Sequence, residues 1–284
     1  MTILDGKLLA AKCKEEIKKK TETLAMKPGL AVVIVGDNPA SRVYVNNKRK
    51  DCEECGFYSE EYALPKETTQ AQLLDLIDEL NHRADIDGIL VQLPLPKGIS
   101  EEAVLLAISP EKDVDGFHPM SMGSLLVGKS GFLPCTPAGI LKILDAYDIE
   151  VAGKQCVVIG RSNIVGKPMA LLLLQRNGTV TICHSKTVNL SAICQTADIL
   201  VAAVGTRGLV TADMVKPGAV VIDVAMNRND AGKLCGDVCY DEVSAVASAM
   251  TPVPGGVGPM TRAMLMENTL TAALRHQTKN KNFE

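Results

Sequence analysis

A chain of 284 residues, 46% apolar and 22% charged, can bury a substantial core and divides most naturally into two medium α/β domains. Its net charge of −3, with no basic run interleaved with aromatics, argues against a nucleic-acid partner and for a small diffusible ligand. With no long apolar stretch and no basic, apolar leader, no membrane association is expected, and nine cysteines without a framework spacing fit reduced thiols in the cytoplasm.

The first third alternates short β-branched runs, near 30–35, 57–64 and 88–91, with helical segments, which predicts a parallel sheet. Between the first two strands Asp37 or Asn38 suits a helix cap, Pro39 a first helical position and Gly56 a stop. On that helix Tyr44, Lys48, Cys52 and Cys55 share one stripe, while Arg42, Arg49 and Glu53 project to the other side. An aromatic ring therefore stands one turn from an ammonium in the less polar stripe. Burial there would lower the lysine's proton affinity toward the range useful for proton transfer at neutral pH. The competing reading is a snorkelling lysine, or an ordinary pair with Asp51 one turn on. Cys52 and Cys55 can be combined on paper with Cys235 and Cys239 into a zinc site, but the first pair lies inside a helix, so no metal is expected.

The third strand ends in Val91-Gln-Leu-Pro-Leu-Pro96, which holds Gln92 at the carboxyl edge of the sheet, where ligands of open α/β sheets gather. From there its amide could orient Lys48, or simply cap the loop. A loop over 109–134 then breaks the alternation, and within it Asp115, beside Gly116, is an acceptor for an amino-substituted ring or a solvated loop aspartate. Thr136-Pro137 is expected to cap a helix ending near Tyr147, and the domain change is placed at this point.

Strands at 155–159, 179–183, 199–204 and 219–223 have the spacing of βαβ units. The first runs into Gly160-Arg-Ser-Asn-Ile-Val-Gly166-Lys-Pro168, whose glycines would let backbone amides approach a pyrophosphate at a helix start. The second ends in Cys183-His-Ser-Lys-Thr187, with no acid to grip ribose hydroxyls; Arg161, Ser185 and Lys186 or His184 instead favour the 2′-phosphate of NADP. The glycine-rich stretch 251–259 could approach a ligand closely or form a plain turn, and a helix to about His276 follows, which could pack back on the first domain. The tail from Lys279 looks frayed.

Seven colinear stretches, at 38–50, 91–96, 112–116, 134–139, 160–168, 183–187 and 251–261, resemble the bifunctional methylenetetrahydrofolate dehydrogenase and methenyltetrahydrofolate cyclohydrolase family in its bacterial-type form. The resemblance implies an α/β protein of two domains around a cleft, assembled as a homodimer. Residues 1–134, with a closing helix at 259–284, would form a parallel-sheet catalytic domain for tetrahydrofolate one-carbon derivatives, and 135–258 a Rossmann-type NADP-binding domain. It implies Lys48 as general acid/base, Gln92 as its hydrogen-bond partner, Tyr44 stacking on the folate rings, Asp115 on the pterin, and Gly256, Val257 and Pro259 near the substrate. For NADP the matching positions are Gly160, Arg161, Ser162, Val165, Gly166, His184, Ser185 and Met226. One departure is visible: the family usually reads Val-Ile-Asp-Val-Gly-Ile-Asn where this chain has Val221-Ile-Asp-Val-Ala-Met-Asn227, which places a methyl group and a methionine beside the nicotinamide region. The rival expectations are a shikimate-dehydrogenase-like NADP oxidoreductase and a non-catalytic NADP sensor.

Overall fold

In a computed structural model, which describes residues 1–281, the chain forms two compact units, each discontinuous in sequence. One comprises Ala11–Cys135 with the residues from Arg262 onward, the other Met1–Ala10 with Thr136–Thr261.

The first unit is built on a three-stranded parallel sheet in the order Tyr58–Leu64, Gly29–Val35, Gly88–Val91. All seven residues of Gly29–Val35 are buried, as expected of a central parallel strand covered on both faces. On one side Ala31, Val33 and Val35 pack with Leu73, Ile77 and Leu80 of helix Gln70–His82. That helix starts on a capping box, in which Thr69 and Gln72 satisfy each other's backbone amides. Helix Pro39–Cys55 begins where Asn38 Oδ1 accepts from Ser41 N and ends before Gly56, whose φ of +75° only glycine adopts at little cost. These bounds agree with the sequence.

The second unit carries a six-stranded parallel sheet in the order Thr2–Ile3, Ala249–Met250, Val220–Asp223, Ile199–Ala202, Gln155–Ile159, Thr179–Cys183. Its core joins Val157, Ile159, Leu200, Ala202 and Val221 with Met214, Val243 and Met250.

Four expectations need correcting. The first ten residues belong to the second unit, because Thr2 and Ile3 pair with Ala249 and Met250 and Asp5 N donates to the Tyr147 hydroxyl at 2.8 Å. The 109–134 segment is no plain loop: it contains helix Pro119–Leu126, started by the His118 ring, whose Nδ1 accepts from Met120 N. Thr136 is not a cap, since helix Cys135–Ala146 already includes it. The closing helix, Val257–Lys281, runs past the point where fraying was expected at Lys279; 282–284 lie outside the described residues.

Candidate active site

Helix Pro39–Cys55 sets its inner stripe against the sheet, with Val45, Cys52 and Cys55 buried and Tyr44 38% exposed above them. Lys48, half-buried in that stripe, donates from Nζ to Gln92 Oε1 at 3.0 Å. Gln92 is itself fixed: its backbone N–H donates to Val33 O at 2.8 Å, continuing the sheet, and its Nε2 donates to Leu93 O at 2.7 Å. With the amide nitrogen spent on a carbonyl, only the amide oxygen is left to face the lysine. The alternative pair with Asp51 does not form, because the Asp51 carboxylate is held by Lys14 and Arg262.

Lys112-Asp-Val-Asp-Gly116 separates two aspartates that look alike in sequence. Asp113 is buried and accepts from Phe117 N, His118 N and Ser121 Oγ at 3.1, 2.9 and 2.6 Å, which ties the turn into helix Pro119–Leu126. Asp115 instead acts on Lys48: burial raises its proton affinity, and the nearby ammonium and the Cys135 thiol draw it back down. Lys48 is shifted the opposite way. Burial lowers its pKa, opposed by Asp115 and Cys135 and reinforced by the Arg262 guanidinium. Each partner of this desolvated pair is therefore driven toward its neutral form, which is the condition for a side chain that must gain and lose a proton near neutral pH.

Cys135, Asn268, Asp51 and Arg262 complete the surroundings and were not singled out as functional in sequence. Cys135 is buried, its thiol held far above the usual range by burial, so it stays protonated and donates to Val114 O at 3.3 Å. Asn268 Nδ2 lies 2.8 Å from Val114 O, 3.0 Å from Leu133 O and 3.6 Å from Cys135 Sγ, clamping the two segments that flank Asp115. No spacing rule could have found Asn268 and Arg262, since they meet their partners across more than a hundred positions of chain. The Cys52 and Cys55 thiols are pushed up to about 12 by burial, and among the described residues no cluster suited to a metal ion occurs.

In the second unit, strand Gln155–Ile159 delivers Gly160 at φ +126°, and a Cβ there would stand 2.3 Å from Ala203 O. A Cβ on Gly166 would stand 2.2 Å from Gly160 O, so both glycines are required for the turn to close against helix Gly166–Gln175. Ser162 Oγ accepts from Val165 N at 3.1 Å and from Gly166 N at 3.3 Å, so its hydroxyl also caps this helix start. Arg161, Ser162, Ser185 and Lys186 are exposed. His184 is tied into its turn, its Nδ1 accepting from Lys186 N at 3.1 Å and its N–H donating to Thr187 Oγ1 at 2.8 Å. A glycine cradle at a helix start, exposed cationic and hydroxyl side chains, and no acid after strand Thr179–Cys183 together suit a dinucleotide with a phosphorylated ribose. Met226 is 42% exposed, its sulfur 3.6 Å from where a Cβ of Gly258 would stand. Gly256 has a packing reason of its own, since its carbonyl oxygen abuts Gly6 and a Cβ on it would meet Pro252 O at 2.6 Å. Val257 and Pro259 form the first turn of helix Val257–Lys281.

The catalytic-domain model of the tetrahydrofolate dehydrogenase/cyclohydrolase family matches residues 4–115, and its NAD(P)-binding-domain model matches residues 134–277. A relative named bifunctional protein FolD, from Ruminiclostridium cellulolyticum, is 59% identical over 275 residues, covering 96% of this chain and 97% of that one. Among solved structures, the bifunctional enzyme FolD, a methylenetetrahydrofolate dehydrogenase/cyclohydrolase from Campylobacter jejuni, matches with a TM-score of 0.96 at 53% identity, over 97% of this chain and 99% of that one. A Trypanosoma brucei methylenetetrahydrofolate dehydrogenase-cyclohydrolase, solved with NADP cofactor and inhibitor, matches with a TM-score of 0.92 at 37% identity, over 97% of this chain and 98% of that one.

Proposed function

This chain belongs to the tetrahydrofolate dehydrogenase/cyclohydrolase family, and we infer that it oxidises 5,10-methylenetetrahydrofolate to the methenyl form with NADP and hydrolyses that product to 10-formyltetrahydrofolate. The observation that carries the hydrolytic half is the 3.0 Å bond from Lys48 Nζ to Gln92 Oε1 beside Asp115, an oriented and desolvated lysine. Neutral Lys48 takes a proton from the water that adds to the methenyl carbon. It returns that proton to the ring nitrogen as the carbon–nitrogen bond breaks, while the hydroxyl proton of the adduct is lost to solvent, so the formyl group stays on the other nitrogen and one proton is released overall. Gln92 keeps the amine aimed through both transfers. Tyr44, exposed one turn before Lys48, offers its ring to the folate, and Asp115 offers its carboxyl to the pterin amino group.

NADP supplies the hydride acceptor for the first reaction. The residues that would hold it are Gly160, Val165 and Gly166 through backbone approach, Arg161, Ser162 and Ser185 through charge and hydroxyls, and His184 and Met226 beside them. The folate role is thus assigned to the unit containing Ala11–Cys135 and the NADP role to the unit containing Thr136–Thr261.

A shikimate-dehydrogenase-like activity gives way to this reading, because both halves of the chain match the folate family. A sensor without catalysis would have no use for the Lys48–Gln92 pair. A homodimer is the assembly expected of the family, checked by light scattering. A cytoplasmic setting accords with nine cysteines outside any disulfide and with the lack, among the described residues, of any helix long and apolar enough to cross a membrane.

One assay tests the whole reading: NADPH formation and methenyl decay followed together on methylenetetrahydrofolate. Lys48→Gln should lower cyclohydrolase turnover at least about a thousandfold while folate still binds. Wild-type hydrolysis in that variant would remove Lys48 from the mechanism.

A further inference from the structure

Asp51 follows Lys48 by three residues on helix Pro39–Cys55, so the two side chains leave neighbouring turns of one face. A carboxylate so placed ordinarily pairs with the ammonium and holds it protonated. Such a pair would deprive Lys48 of the proton exchange assigned to it. Asp51 is 2% exposed, and both of its oxygens are engaged elsewhere: Oδ1 accepts from Lys14 Nζ at 2.8 Å and Oδ2 from Arg262 Nη1 at 2.9 Å. Lys14, from helix Gly6–Thr21, is shared between Asp51 and Glu54, and Arg262, from helix Val257–Lys281, is the second counter-charge of Asp51. Lys48 itself is bonded to a neutral amide.

We propose that Arg262 is a positioning residue for the hydrolytic step: by engaging Asp51 it keeps that carboxylate off Lys48 and leaves the amine free to release and retake a proton. The inference rests on Lys48 being the proton carrier. The charged and titratable groups that act on Lys48 are Asp115 and the Cys135 thiol from the segment across the site, Asp51 from its own helix and Arg262 from the closing helix. Of these, Arg262 alone disfavours the ammonium.

The test is the pH dependence of cyclohydrolase kcat/KM, with spontaneous hydrolysis subtracted, in the wild type, Lys48→Gln, Arg262→Met, Asp51→Asn and the double variant Asp51→Asn/Arg262→Met. Lys48→Gln identifies the inflection that belongs to the lysine by losing it. In Arg262→Met the guanidinium is gone and Asp51 Oδ2 is released, with Lys14 still on Oδ1, so that inflection should move up by about one pH unit. In Asp51→Asn the unpaired guanidinium should move it down by a similar amount, and the double variant should return it toward the wild type. A merely structural ion pair would slow every variant without opposite displacements. The inference is overturned if the inflection stays put, or moves the same way, in Arg262→Met and Asp51→Asn while Lys48→Gln is inactive. Should Arg262→Met fail to fold, Asp51→Asn and the double variant, which leaves neither charge buried alone, decide the matter: an unmoved inflection in Asp51→Asn overturns the proposal. Wild-type hydrolysis by Lys48→Gln would instead overturn the role of Lys48, a separate and recognisable failure.

Discussion

Gln92 is the residue whose job depends most on geometry and least on chemistry. Its backbone is held by Val33 O and its Nε2 by Leu93 O, so Oε1 arrives at Lys48 without freedom to turn away. Gln92→Met keeps the volume and removes both polar contacts of the side chain. The lysine would then lose its aim while the substrate surfaces stay in place, so cyclohydrolase kcat should fall about 10- to 100-fold, with folate KM changed by less than about threefold. Steady-state kinetics of both activities checks this, and an unchanged kcat would show that Lys48 needs no guide. The stripe of Tyr44, Lys48, Cys52 and Cys55 was legible in sequence because helical periodicity is local. Gly116 pointed to Asp115 in the sequence, but what occupies Asp113 instead was not legible there. Both lie in one short run, and only the bonds from Phe117, His118 and Ser121 reveal that Asp113 is occupied in holding the turn.

The strand and helix pattern of each unit could be read from β-branched runs between turn residues, and the structure departs from it mainly where an element is short or unusually started. Strand Ile199–Ala202 ends two residues early, and helix Pro119–Leu126 escaped notice because its start is capped by a histidine ring. The turn into helix Gly166–Gln175 shows what glycine contributes there. Gly160 lies against Ala203 O and Gly166 against Gly160 O, so each leaves to a neighbour's carbonyl the room that a methyl group would take. In Gly166→Ala the added Cβ would meet backbone at 2.2 Å, and backbone cannot step aside as a side-chain tip can. The helix start must then shift, costing about 1–3 kcal/mol of stability and withdrawing the amides from the site. NADP affinity measured by fluorescence titration should fall at least about tenfold, while added methenyltetrahydrofolate is still hydrolysed. Wild-type NADP affinity in this variant would remove the turn from the cofactor site.

At the level of the whole molecule, the division near residue 135 was legible because the helix–strand alternation breaks just before it. The crossing of the termini was not. A two-residue strand, Thr2–Ile3, has no periodicity to betray a partner at Ala249–Met250, and so nothing local marks residues 1–10 as part of the other unit. The same discontinuity has a consequence for folding. The unit that carries Lys48 is completed only by the last helix, which buries Leu265, Met266, Leu270 and Ala273. Asn268 holds the Val114 and Leu133 carbonyls, Arg262 holds Asp51, His276 meets Asp87 at 2.9 Å, and Gln277 donates to Met26 O at 3.1 Å. Burial of a large apolar side chain contributes roughly 1.5–3 kcal/mol, so three such residues alone amount to much of the 5–15 kcal/mol typical of a domain. A fragment spanning 11–135 should therefore show no cooperative thermal transition by circular dichroism. Joining 262–281 to its carboxyl end through a flexible Gly/Ser linker should restore one, because the missing helix then returns at high effective concentration. A cooperative melt from 11–135 alone would mean that the closing helix decorates a finished unit; its absence, reversed by the linked helix, would mean that the site around Lys48 cannot exist until the last residues of the chain have been made.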